Sequence, residues 1–106
     1  MKYDNYPVAD GHVLIIPKRH VLSFLQLNES EVLGFYKILK MAQNILLLKY
    51  SLDGFTIGIN QGKAAGQTIE HLHIHLIPRY FGDVDKPEGG IRKIIPNKVL
   101  YPSKDP

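Results

Sequence analysis

The chain has 106 residues, 44% hydrophobic and 22% charged, a composition that supports one packed core and excludes wholesale disorder. Its formal charge of +3 comes from 13 Lys+Arg against 10 Asp+Glu, with no dense basic block. That balance suits anionic small molecules and gives little support to nucleic-acid binding. Cysteine is absent, which rules out disulfides, thiol catalysis and a cysteine-ligated metal site and fits a reducing cytoplasm. No apolar run approaches the roughly 20 residues that span a bilayer, so no membrane partner is expected. Residues 1–10 also lack the apolar stretch behind basic residues that marks a secretory signal.

The run His12-Val13-Leu14-Ile15-Ile16, closed by Pro17, predicts a strand over 12–16 buried on both faces. Asn28 followed by Glu31 has the spacing of a capping box and predicts a helix over 29–50. Its apolar positions (Val32, Leu33, Phe35, Tyr36, Ile38, Leu39, Ala42, Ile45, Leu46) exceed the single stripe that one core contact needs. A second packing partner explains the surplus, most economically a homodimer.

After the turn signal Leu52-Asp53-Gly54, residues 55–60 alternate with period 2. This sends Phe55, Ile57 and Ile59 to the core and Thr56, Gly58 and Asn60 to the other face. Residues 61–67 form a small-residue loop, and a further strand is expected over 68–79, ended by Pro78. The tail from Tyr80 is rich in proline and carries Gly89-Gly90. It is expected to be extended and draped over the body, with at most short structure near 91–95. The elements give an α+β fold, an antiparallel sheet from strands at 12–16, 55–60 and 69–77 with one long helix packed on it.

Within Glu70-His71-Leu72-His73-Ile74-His75-Leu76-Ile77, strand alternation places His71, His73 and His75 on one face and the aliphatic residues on the other. Three imidazoles in a row offer no packing advantage, and if buried each needs polar partners. A merely exposed His-rich face is the bland explanation. Metal ligation is a rival one, but same-face neighbours lie about 6.6 Å apart and the outer pair about 13 Å. Zinc needs nitrogens about 2.0–2.1 Å from one point, so a flat strand serves it poorly. Nucleophilic catalysis at phosphorus is the third use, since an imidazole with a pKa of about 6.5 is largely unprotonated at neutral pH. The small residues Ala65-Gly66-Gln67-Thr68 just upstream can bring backbone N–H groups to phosphate oxygens.

The run from His71 to Ile77 resembles the His-φ-His-φ-His-φ-φ motif of the histidine-triad (HIT) family of nucleotide hydrolases and transferases. Gly66-Gln67-Thr68 is similar to that family's approach to the motif, and Gly11-His12 with the apolar run behind it to its earlier histidine-bearing strand. The resemblance implies a HIT domain core over 1–80 with an extended C-terminal tail over 81–106 packing on it, and a chain truncated at the N-terminus relative to the family. It implies hydrolysis of nucleoside phosphate anhydrides or phosphoramidates, of the diadenosine polyphosphate or AMP-amide type, at the α-phosphorus. His73 would be the nucleophile and form a nucleotidyl-histidine. His75 would bond to the transferred phosphate or leaving group, and His71 with His12 would hold the nucleophile's tautomer and direction. Asp4 would bind the ribose of a purine nucleotide, with Asn60, Gly66, Gln67 and Thr68 around the α-phosphate. No structural metal is expected and no cofactor for the nucleophilic step, although a divalent cation can accompany a polyphosphate substrate. The alternatives are a nucleotide-binding interaction module with little turnover, and a nucleotidyl transferase. His20 reads as a surface or structural histidine, and Arg92 either reaches a phosphate or is an ordinary surface residue.

Overall fold

The computed structural model describes residues 1–99. Four strands, β1 (Lys2–Tyr3), β2 (Val13–Ile15), β3 (Gly54–Gly58) and β4 (Ile74–Arg79), form one antiparallel sheet in the order β1-β2-β4-β3. One helix, α1 (Glu29–Lys49), connects β2 to β3, and short 3-10 turns lie at Phe24–Gln26, Lys63–Ala65, Gly90–Ile94 and Pro96–Lys98. The α+β architecture with a single long helix on an antiparallel sheet is the expected one.

The start of α1 is fixed locally. Asn28 Oδ1 accepts from the Glu31 N–H at 2.8 Å, and Glu31 Oε1 accepts from the Asn28 N–H at 3.0 Å. Arg19 fastens the same carboxylate from outside with two bonds of 2.8 and 3.0 Å. Phe35, Ala42 and Leu46, spaced by seven and four residues, form the buried stripe of the helix. They pack with Val13, Ile15, Leu72, Ile74 and Leu76 of the sheet side, and with Val21, as one core.

Several expectations change in physical terms. The strand expected over 68–79 is paired only from Ile74, because β2 offers partners only as far as Ile15 before its chain leaves at Pro17. Inward-outward alternation nevertheless continues back to residue 71: Leu72 is 1% exposed and Ile74 6%, with the histidines on the opposite side. Pro78 does not close β4. It sits within the strand opposite Phe55, beyond the stretch that β2 pairs. β2 is buried on one face only, since Leu14 and Ile16 line a shallow cleft with Met1 and Lys2. Ile57 shares a sheet face with Leu76 yet is well exposed, because β3 is an edge strand. Two-residue β1 carries no periodic signal and was not foreseen.

In the tail, the short structure near 91–95 is a 3-10 turn over Gly90–Ile94. Gly89 (φ 90°) admits the Val99 carbonyl, which would lie 2.6 Å from a Cβ at that position. Arg92 then donates to the carbonyls of Val99 and Lys98, so its guanidinium closes this loop of the tail. Residues 100–106 of the expected tail lie outside the described residues.

Candidate active site

His12 enters β2 behind Gly11, whose φ of +88° brings the backbone against Pro78 and the Tyr50 ring. The turn sets the His12 side chain inside the protein at 3% exposure. There the main-chain N–H of Val8 donates to His12 Nδ1 at 3.2 Å. An amide can only donate, so Nδ1 must offer its lone pair, and a neutral His12 carries its proton on Nε2. That atom lies 2.9 Å from His75 Nδ1, with Asp4 Oδ2 at 3.5 Å as a second acceptor. His75 therefore accepts at Nδ1 and carries its own proton on Nε2. The sheet register explains the pairing: Leu14 stands opposite His75, which makes His12, two residues earlier, its diagonal neighbour.

The neutral state of this chain follows from its surroundings. Burial pushes the His12 pKa down, and Asp4 only partly opposes it. The His75 pKa is also lowered, first by burial and then by His12 and His73.

His73 is polarised in the opposite sense. Its Nδ1–H donates to the His71 carbonyl at 3.0 Å, leaving the Nε2 lone pair open. The His73 and His75 rings meet edge to face with centroids 5.2 Å apart, and His12 and His75 lie 5.1 Å apart. The His71 ring belongs to a different group. Its Nε2–H donates to the Pro17 carbonyl at 3.0 Å and the ring stacks against His20 at 4.9 Å. His20 in turn bonds the Glu70 carbonyl, and so clamps the segment leading into the triad. The expected partnership of His71 and His12 in holding the nucleophile is thus redistributed. His71 orients His73 through its backbone carbonyl, and the His12 ring reaches His75 instead.

The remaining positions divide between two clefts. Asn60 shares a cleft of about 620 Å³ with His12, His75, Thr56 and Arg79. Asp4, expected at a ribose, accepts from the Tyr6 N–H through Oδ1 at 2.8 Å and turns Oδ2 towards His12. Gly66, left-handed at φ +88°, ends the 3-10 turn at Lys63–Ala65. The Gln67 amide is fully engaged: Oε1 accepts from the Gly62 N–H, and Nε2 donates to the carbonyls of Leu22 and Ile69. Thr68 lies with Gln67 and Lys63 on a separate cleft of about 400 Å³. The small-residue loop is therefore shaped by Gln67.

Two contributors were missed by sequence reasoning. The Val8 amide sets the whole tautomer chain, but a main-chain donor leaves no mark in sequence. Arg79 lines the histidine cleft, fixed by both Asp83 oxygens at 2.8 and 3.0 Å and by Thr56 Oγ1 at 3.1 Å. Its four-residue spacing from Asp83 was the available signal. Asp4, His12 and His75 also bring ligand atoms within 4.8 Å of one another, close enough for a cation. Coordination through His12 Nε2 would force its proton onto Nδ1, against the Val8 N–H. As arranged, the group fits a proton-bearing relay better than a metal ion.

A family model described as the HIT domain matches residues 1–82. The nitrilase and fragile histidine triad fusion protein NitFhit of Caenorhabditis elegans is 42% identical over 77 residues, which make up 73% of this chain and 18% of that protein. A bis(5'-adenosyl)-triphosphatase of Dictyostelium discoideum is 41% identical over 73 residues, 69% of this chain and 49% of that protein. The crystal structure of a HIT family protein from Bacillus anthracis superposes with a TM-score of 0.72 at 33% identity, covering 76% of this chain and 57% of that one. The chain spans only part of these relatives' own lengths.

Proposed function

The chain belongs to the HIT family, and from that premise we propose that it hydrolyses dinucleoside polyphosphates at the α-phosphorus through a nucleotidyl-histidine. The observation that carries this reading is the opposed polarity of His73 and His75: an open Nε2 lone pair on one ring beside an Nε2–H on the other. In the first step His73 Nε2 bonds to the α-phosphorus and the bond from phosphorus to the leaving oxygen breaks. His75 Nε2–H donates a hydrogen bond to the charge that develops there. A nucleoside polyphosphate departs as a stable anion, so a neutral His75 need not surrender its proton. Water then attacks the same phosphorus, the N–P bond returns its electron pair to His73, and the proton lost by water passes to solvent. An AMP-amide needs a protonated amine to depart, which a neutral His75 supports less well; phosphoramidates are the secondary substrate class. Transfer to an acceptor other than water would use the same intermediate.

No metal takes part in the nucleophilic step on this reading, supported by the direction of the Val8 hydrogen bond; a divalent cation can still accompany a polyphosphate. The partners are a purine nucleotide and a second copy of the chain. Ile38, Met41 and Leu48 follow one another on α1 at near-heptad spacing and all remain exposed, an apolar row suited to helix–helix association. The cysteine-free composition supports a cytoplasmic setting.

The test is release of AMP from diadenosine triphosphate by the unaltered chain and by His73→Ala. Turnover by the former and a fall of at least about 10³-fold in the latter are expected. Retained turnover in His73→Ala would overturn the mechanism. Tight nucleotide binding by the unaltered chain without AMP release would instead leave a binding module.

A further inference from the structure

The cleft that holds His12 and His75 has a wall that the hydrolytic mechanism does not use. Ile91, Ile94, Ile95 and Lys93, all from the tail, line it together with sheet residues. The three isoleucines are 64%, 75% and 55% exposed, a concentration of large aliphatic surface within five consecutive residues. This wall is also built, not merely draped. Gly89 lets the Val99 carbonyl close against it, Arg92 grips the carbonyls at both Val99 and Lys98, and backbone bonds run from Gly90 to Pro87 and from Ile95 to Arg92. The isoleucines are thus presented on a braced turn.

The charge on this wall is also specific. The Lys93 ammonium donates to the Lys86 carbonyl and pairs with no carboxylate among the described residues. An ammonium has three donors, so two remain for an anion. Arg79, which also lines the cleft, is neutralised by Asp83. The net positive charge of the cleft therefore sits on the tail. A cleft of about 620 Å³ lies within the range that takes ligands of nucleotide size.

We propose that the segment Gly90–Ile95 is the recognition element for the leaving half of the substrate. Lys93 takes a phosphate oxygen of the departing nucleoside polyphosphate, and Ile91, Ile94 and Ile95 cover the apolar face of its nucleoside. His75 Nε2–H, at the junction of this wall and the triad, meets the oxygen whose bond to phosphorus breaks. The inference rests on the hydrolase reading above and adds to it a preference: a large anionic, base-bearing leaving group over a small one.

The experiment compares two substrates that share the transferred AMP. Diadenosine tetraphosphate has a leaving half that can fill the wall, while adenosine 5'-phosphorofluoridate leaves only fluoride. The quantity read is the ratio of kcat/KM for the first over the second. Lys93→Gln is expected to lower this ratio about tenfold and Ile94→Asn about fivefold, mostly through KM for the dinucleotide. Melting temperatures of both variants are measured alongside. An unchanged ratio in both variants would overturn the inference, as would a parallel fall on both substrates, which would make the segment a structural support only. If the unaltered chain turned over neither substrate, the hydrolase reading itself would fall and this inference with it.

Discussion

His12 and His75 stand 63 residues apart in the chain and share a 2.9 Å hydrogen bond whose direction is imposed by a third residue, Val8. The bond fixes which nitrogen of His75 carries the proton that the cleft can meet. His12→Asn withdraws the donor, because the asparagine amide nitrogen stands where the histidine Nδ1 does and falls short of the Nε2 position, and so frees His75 to adopt the other tautomer. The expected outcome is a kcat about 10²-fold lower on diadenosine triphosphate with KM little changed, measured by steady-state AMP release.

The same pair predicts a pH dependence. Both pKa values lie below the ordinary histidine value of 6.5, so the unfolded chain binds more protons than the folded one just below that pH. Stability is complete above about 6.5 and is lost as pH falls through the folded values. Protonating His12 also places a proton on Nδ1, where the Val8 N–H already sits. Melting temperature should therefore fall between pH 7.5 and 5.5, with turnover declining on the same limb. In His12→Asn the drop in melting temperature should be smaller.

Gly11 predicts a coupled effect on stability and activity. A Cβ at that position would come within 3.1 Å of Pro78 and the Tyr50 ring, in a backbone conformation that side chains rarely adopt. Gly11→Ala should cost about 1–3 kcal/mol in urea unfolding. Because the next residue is His12, kcat should fall as well.

At the far end of α1 the expectation is the reverse. Asn28→Ala breaks the capping box with Glu31 and should cost about 1 kcal/mol while leaving kcat unchanged. The Glu31 carboxyl is held down to about 2, first by its hydrogen bond from Arg19. Its contribution is therefore present above the ordinary carboxylate range and lost only as pH falls towards 2. A thermal melt of Glu31→Gln against the unaltered chain at pH 7 and pH 3 should show the difference between them narrowing at the lower pH.

The parts legible in sequence were those where one residue type in one spacing has one physical use. Asn28 with Glu31 marked the helix start, and alternation marked both the buried Leu72, Ile74 and Leu76 and the histidines opposite them. What sequence did not carry were relations across the chain. Strand alternation suggests three equivalent rings, whereas the structure groups His12, His75 and His73 together and sends His71 to Pro17 and His20. That division depends on where β2 stops pairing and on a main-chain amide at Val8. Gln67 reads as a phosphate-loop residue by position, and only its three bonds reveal it as the brace that shapes the loop. The apolar surplus of α1 was readable, but which side chains stay uncovered depended on the sheet.

His73 lies one residue before β4 begins and has no Cα partner in either ladder. On the proposed mechanism a ring that takes up a nucleotide and later lets it go changes its load twice in every cycle. Standing just past the last rung, it can recoil without unzipping its neighbours, while Leu72 and Ile74 anchor it from beneath on either flank. The proposed reactive atom thus combines a firm footing with a place outside the ladder.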